Sequence, residues 1–291
     1  ALVLSPDLPE SSLQLVCAGK LLDLSGPQVM GVLNVTPDSF SDGGRYTGVE
    51  QAVRRARQMQ DEGAAIIDIG GESTRPGASP VSVDEELRRV LPVIEALRSS
   101  GLQVPISIDT QKPQVMQAAV QAGAGFINDV NALRSAGALE MAALLDVPVC
   151  LMHMSGTPLT MQDNPRYVDV MAEVRDFLLQ RADCCIKAGI QRDRIMLDPG
   201  FGFGKTVDQN LQLLDLLGEL AATGFPLLVG LSRKSMIGKL LGLEVSDRLP
   251  AGIALAVLAA ERGARLVRTH DVAATWQALQ MNRALQAIHE G

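Results

Sequence analysis

The stretch Ile195–Lys205, IMLDPGFGFGK, sets the reading of the chain. Three apolar residues run into Asp198, Pro199 and Gly200 stop the strand, and two further glycines alternate with Phe201 and Phe203. A short apolar run ending in a carboxylate and a Gly-rich turn has the form of a buried parallel strand that delivers a side chain to a site. The same grammar recurs along the chain. Asn34 follows VMGVL, Asp109 follows PISI, Asn128 follows GFI and His153 follows VPVCLM, while Arg268 and His270 follow RLV.

Strand-like runs fall at 29–35, 64–70, 105–109, 125–130, 147–153, 194–198, 226–231 and 265–269. Helical patterns lie near 48–62, 83–100, 113–122, 137–145, 166–188, 208–222 and 247–262, with a last one at 272–288. Eight strands, each followed by a helix and with no linker between, predict an α/β fold, a closed (β/α)₈ TIM barrel spanning residues 29–291. An open doubly wound sheet is the alternative, because strand-order reversal leaves no mark in a sequence. Residues 1–28 are expected to form a poorly ordered tail and then a β-hairpin, LQLVCAGKLLDL at 13–24. In a barrel the strand C-termini open onto one face, so the scattered polar residues become one ring. Two loops rich in Gly, Pro, Ser and Asp, Thr36–Thr47 and Glu72–Pro80, are candidate lids over it.

The chain has 291 residues, 47% of them hydrophobic and 20% charged, enough for a large core. A net charge of -7 argues against a nucleic-acid partner, though not against a local anion pocket. Cys17, Cys150, Cys184 and Cys185 include no CxxC pair and read as reduced thiols rather than zinc ligands. With no signal-peptide pattern and no apolar run of spanning length, a cytoplasmic protein without a membrane partner is expected.

PGFGFGKT is not a phosphate loop, since Pro199 stands where that motif needs its first glycine, and GxGxxG is also unmet. Asp109 and Asp198 could each be a turn or helix cap. Together with Asn128, however, they suit a flat heterocycle with several N–H donors. A carboxylate can accept two parallel N–H groups of a 2-amino-4-oxo pyrimidine edge as it accepts arginine. Ser232-Arg233-Lys234-Ser235, between a strand and the helical MIGKLL, makes an anion or carbonyl-oxygen site, or else a solvated basic turn. Arg268 and His270 point to one side of the last strand, where barrels often hold phosphate. Asn34 could add a metal or amide contact. His153, between two methionines, reads as a hydrogen-bonded structural residue, and Trp276 as packing. No Ser-His-Asp or Cys-His set and no HExxH is present, so nucleophilic or zinc hydrolysis has no support.

GVLNVTPDSFSDGG, DIGGESTRPGA, SIDT, INDV, LMHM, LDPGFGFGK, LLVGLSRKSMIG and RTHD, in this order from about Val29 to His270, closely resemble the signatures of the dihydropteroate synthase family. The resemblance implies a transferase of folate biosynthesis and sulfonamide target, which joins 4-aminobenzoate to the methylene carbon of 6-hydroxymethyl-7,8-dihydropterin diphosphate and releases diphosphate. It implies that Asp109, Asn128 and Asp198 hold the pterin, with Lys234 at its carbonyl and N5 side. Asn34, Arg268 and His270 would hold the diphosphate and its Mg²⁺, Asn34 as the metal contact, with Thr74 approaching the same ligand. Phe40, Arg75, Pro76, Phe203 and Ser235 would shape the aminobenzoate pocket. Asp109, Lys234 and Arg268 are the implied catalytic groups of a loose, SN1-like displacement, and a homodimer through the late helices is expected. Neither long loop carries an insertion of the kind found in sulfonamide-insensitive relatives. A pterin-binding methyltransferase barrel is the rival; it needs no diphosphate clamp, so SRKS and RTH argue against it. A non-catalytic pterin-binding partner is the second, and the retained chemistry of every motif speaks against that.

Overall fold

The computed structural model describes residues 13–35, 44–74, 77–156, 161 and 165–289. A hairpin of β1 (Gln14–Cys17) and β2 (Lys20–Asp23) precedes eight strands: β3 (Gln28–Asn34), β4 (Ile66–Gly70), β5 (Ile106–Asp109), β6 (Phe126–Asp129), β7 (Val149–Met152), β8 (Ile195–Asp198), β9 (Leu227–Gly230) and β10 (Ala264–Thr269). These eight close in the order β10-β3-β4-β5-β6-β7-β8-β9, every neighbouring pair parallel. The predicted barrel is therefore present, and the open-sheet alternative is excluded.

The helices are α1 (Gly44–Asp61), α2 (Val83–Ser99), α3 (Pro113–Ala122), α4 (Ala138–Leu145), α5 (Val170–Lys187), α6 (Val207–Asp215), α7 (Leu217–Ala221), α8 (Ser235–Leu241), α9 (Leu249–Glu261) and α10 (Val272–His289). Three differ from expectation. The first helix begins at Gly44 rather than near 48, so the end of the expected Thr36–Thr47 loop belongs to α1. The helix expected from residue 166 begins at Val170, because Asp169 stays extended and its side chain accepts from the Ala172 N–H. The helix expected over 208–222 is two, broken at Leu216, whose backbone (φ -93°, ψ 10°) leaves the helical region.

Side chains alternate across each strand, and this sorts the barrel into layers. The outward set, among them Ile67, Ile69, Ile108, Ile127, Leu151 and Leu197, is buried against the helices. The inward set is apolar at the bottom: Met30, Ile66, Phe126, Cys150, Met196, Leu228 and Leu266 form a cluster with Leu15, Cys17, Leu22 and Leu24. The hairpin is thus the plug of the barrel floor, a role that the sequence alone left unassigned. Its turn uses two residues with positive φ, Ala18 (49°) and Gly19 (81°), as a tight hairpin requires. Lys20 Nζ ties it to the carbonyls of Leu102 and Val104, at 2.5 and 3.0 Å. Gly125 packs so close that an added Cβ would stand 2.7 Å from the Ala18 nitrogen. The four cysteines carry no disulfide, and burial pushes the Cys17 thiol up to about 12, so it is inert.

Candidate active site

One step above the apolar floor, the inward positions become polar. The registers Asn34↔Gly70, Gly70↔Asp109 and Asp109↔Asn128 place four strand ends side by side. Across the barrel, Met152 is level with Asp198. A pocket enclosing about 350 Å³, its open mouth included, lies over this layer. Asp109, Asn128, Asp198, Lys234 and Arg268 line it together with Thr74, while Val130, Met152, Phe201 and Phe203 supply its apolar walls. Seven of the expected site residues therefore share one cavity.

The layer is held by a residue that the one-polar-group-per-strand-end reading passed over. Asp68, in the middle of β4, is fully buried. Its Oδ2 accepts from Arg268 Nε at 2.7 Å and from Asn128 Nδ2 at 3.0 Å. Arg268 Nη2 also donates to Asp109 Oδ2 at 2.9 Å. One guanidinium thus sits between two carboxylates, inside the acidic layer rather than on a separate cationic rim. The signal in the sequence was the carboxylate of IIDIG itself, since a buried strand carries a charge only where a partner meets it.

These contacts set the electrostatics. Burial holds the Asp109 carboxyl above the ordinary range despite Arg268, and the neighbouring Asp68 charge adds to the rise. Burial alone would lower Arg268; the charges of Asp68 and Asp109 outweigh it and keep the guanidinium firmly protonated. Asp198 is pushed up to about 6 by burial, opposed by the Gly200 N–H, which donates to its Oδ1 at 2.7 Å, and by Lys234. Burial brings Lys234 down to about 8, opposed by Asp198. At neutral pH the pocket therefore presents an ionised acceptor at Asp198 and a proton donor at Lys234.

The SRKS segment divides its two cations. Arg233, with φ 58°, turns outward and pairs with Asp271 at 2.7 Å. That twist points Lys234 inward, where its Nζ lies 4.4 Å from the centre of the Phe203 ring. His270 does not line the pocket; its Nδ1 meets Ser232 Oγ at 3.0 Å. Ser235, at the start of α8, is exposed and outside the lining set. Asn34 stands at the pocket's edge: a Cβ added to Gly70 would be 3.7 Å from both Asn34 Oδ1 and Asp109 Oδ2. Gly70 thus keeps open the space between an amide and a carboxylate. Phe40, Arg75 and Pro76 lie outside the described residues. The Glu72–Pro80 loop is pinned at its stems, since Glu72 Oε2 accepts from the Val81 N–H at 2.8 Å and from Lys112 Nζ at 2.6 Å.

A barrel whose inner polar layer offers carboxylates, an amide and two cations to one pocket is built to bind a polar small molecule with both donors and acceptors. A family model described as "Pterin binding enzyme" matches residues 30–270. The dihydropteroate synthase of Escherichia coli K12 is 51% identical over 278 residues, covering 96% of this chain and 98% of that one. A Xanthomonas albilineans dihydropteroate synthase solved with 4-aminobenzoic acid superposes with a TM-score of 0.90 at 55% identity, over 95% of this chain and 99% of that one. The Xanthomonas albilineans enzyme in complex with 7,8-dihydropteroate gives a TM-score of 0.86 at 52% identity, over 94% and 99%. The chain belongs to the dihydropteroate synthase family.

Proposed function

We infer that this chain joins 4-aminobenzoate to 6-hydroxymethyl-7,8-dihydropterin diphosphate, giving 7,8-dihydropteroate and diphosphate. The observation that carries this reading is the convergence of Asp109, Asn128, Asp198, Lys234 and Arg268 on one cavity with an apolar wall. The solved relatives that hold 4-aminobenzoic acid and 7,8-dihydropteroate support the same pair of reactants. The methyltransferase reading is not favoured, since relatives of about half identity over nearly the whole chain are synthases.

Asp198, ionised near neutral pH, accepts the 2-amino and ring N–H groups, and Asn128 and Asp109 complete the edge. Lys234 donates at the carbonyl and N5 side. The C–O bond between the methylene and diphosphate breaks, the C–N bond to the arylamine forms, and the amine proton leaves to solvent. An arylamine is already neutral and nucleophilic at pH 7, so the barrier lies in bond breaking. Arg268 and His270 stabilise the leaving charge, while the acidic layer favours a cationic pterin. A loose, SN1-like displacement follows. A methylene-carbon isotope effect of the size typical of concerted attack would sink it.

Among the described residues no group of three or more His, Cys, Asp or Glu could hold a metal ion. Mg²⁺ keeps most of its waters and binds through few protein oxygens plus substrate phosphates. Asn34, one amide oxygen beside an open space, fits such a substrate-borne ion, which when bound would neutralise charge on the departing diphosphate. Thr74 would reach the same ligand. Phe203 lies on the aminobenzoate side in this reading, and the family resemblance assigns Phe40, Arg75, Pro76 and Ser235 to the same substrate. Exposed Leu240, Leu241, Leu258, Met281 and Leu285 on α8, α9 and α10 support a homodimer through that face. No described helix is long and apolar enough to cross a membrane, and we place the enzyme in the cytoplasm. Coupled detection of diphosphate tests the reaction: sustained turnover must require both substrates, and a steady rate that 4-aminobenzoate does not raise, or no release at all, would overturn it.

A further inference from the structure

The loop after β8, Pro199–Gly204, forms one wall of the pocket through Gly200, Phe201 and Phe203. Three of its six residues are glycines at φ 69°, 81° and 67°, so the free chain has much conformational freedom to lose. An L-residue at the first is excluded by the His153 carbonyl, which crowds the place its Cβ would take. The loop is pinned by side chains that touch no expected ligand. Tyr167 Oη donates to the Gly204 carbonyl at 2.8 Å, and the Gly202 N–H donates to Asn210 Oδ1 at 2.8 Å. The third pin is the buried Lys205. Its Nζ lies 2.9 Å from the Gly200 carbonyl, 3.0 Å from the Phe203 carbonyl and 3.0 Å from His153 Nδ1.

Those three acceptors match the three hydrogens of an ammonium ion. Two of them bracket the loop; the third is an imidazole nitrogen, which must be unprotonated to accept. His153 is held in that state: burial first, then Lys205 and Arg134, bring it down to about 3. Its ring is fixed edge-on to Phe177, with centroids 5.0 Å apart.

We propose that Lys205 and His153 act together as a positioning pair for the pterin wall, one ammonium ion tying the carbonyls of Gly200 and Phe203 so that the loop holds Phe203 over Lys234. The pair rests on the reading of this pocket as a pterin site. It is also poised to respond to pH. Burial lowers Lys205 to about 7, opposed by Asp198 and assisted by Lys234. Above its titration the amine keeps two hydrogens and turns a lone pair toward one of three acceptors, so one pin is lost. The charged and titratable groups facing the pair are Asp198, Lys234, Arg134 and Tyr167. The first two titrate near the same pH, and the Lys205 charge holds Asp198 down, so Lys205→Met shifts Asp198 as well; the His153 variants keep that charge and isolate the pair.

The test is calorimetric binding of 6-hydroxymethylpterin to the full chain and its variants between pH 5.5 and 9. Lys205→Met should weaken binding about tenfold at pH 6, with the gap closing to under threefold at pH 9. His153→Leu should weaken it about fivefold, whereas His153→Asn, which restores an acceptor, should stay within twofold. A gap that is absent or independent of pH, or equal losses in the two His153 variants, overturns the proposal. Should the variants not fold, ¹⁵N-histidine spectra of the wild-type chain decide. With only three histidines to assign, His153 must carry its proton on Nε2 from pH 5 to 9, and a protonated Nδ1 overturns the pair. A wild-type chain that binds no pterin at any pH sinks the pterin reading instead, and the tautomer still judges the pair.

Discussion

Asp68→Asn is the sharpest probe of the polar layer. The carboxylate is wholly buried, and one oxygen receives both Arg268 Nε and Asn128 Nδ2. An asparagine presents one acceptor and one donor in the same volume, so either a donor meets a donor or Asn128 and Arg268 must share the remaining oxygen without charge. The charge-assisted bond contributes roughly 1.5–3 kcal/mol and the neutral one about 1 kcal/mol. Arg268 keeps Asp109 at 2.9 Å, so the loss should stay below the roughly 3–5 kcal/mol of a stranded buried charge. Relief of repulsion between Asp68 and Asp109 offsets part of it. A net cost of about 2–3 kcal/mol lowers the midpoint of thermal unfolding by roughly 3–5 °C in a chain of this size.

A second consequence of the same change concerns pH. Asp109 is raised in the fold by burial, opposed by Arg268, with the Asp68 charge adding to the rise. Its native state therefore binds more protons than its unfolded state, and stability falls as pH rises through the window between the two. Removing the Asp68 charge lowers Asp109 and flattens that fall. Scanning calorimetry at several pH values, with pterin binding measured beside it, reads all of this. A midpoint within about 1 °C of wild type and unchanged pterin affinity would show that Asp68 does not organise the layer.

Other expectations follow from single contacts. On the proposed assignment Asp198 meets the pterin as a carboxylate raised to about 6, so wild-type affinity should drop as pH falls through that value, approaching about tenfold per unit; Asp198→Asn should bind weakly and lose that acid-side drop, as calorimetry will show. If Arg268 is the proposed donor to the leaving diphosphate, Arg268→Ala should lower the turnover number on the order of a hundredfold in the diphosphate-release assay. Gly125→Ala drives a methyl group into the hairpin plug, 2.7 Å from the Ala18 nitrogen. It should cost about 1–3 kcal/mol of stability by urea unfolding and leave pterin affinity untouched, because the floor and the site are different layers.

The fold was legible because parallel strands buried on both faces announce themselves as short apolar runs, and because each of β3 to β10 ends in punctuation. The strand-end members of the site came with it: Asp109, Asn128, Asp198 and Arg268 meet as the barrel reading requires. What stayed hidden depends on which of two alternating faces a residue takes, or on partners far away in sequence. Asp68 and Lys205 are examples, one reaching Arg268 across 200 positions, the other meeting His153 across 52. Lys205 in particular was read only as the end of a failed phosphate-loop motif. His153 read correctly as a hydrogen-bonded structural residue, but its neighbour could not be named from pattern.

The layers also explain why a site so costly to bury can exist in a stable chain. Asp68, Asp109 and Asp198 are all buried, and Asp68 Oδ1 has no partner among the described residues. Such groups destabilise a core unless every one is met. Here they stand directly above an apolar layer sealed from below by the hairpin, so the floor can supply stability without reference to the ligand. Arg268 serves two carboxylates, while the burial of Asp198 is opposed by the Gly200 N–H and by the charges of Lys234, Lys205 and Arg268. A ring that brings N–H donors to Asp198 meets an acceptor already desolvated and aimed, and much of the cost of ordering that acceptor falls on folding instead of on binding. Recognition is then strongest for the ligand whose donors complete the unfinished bonds.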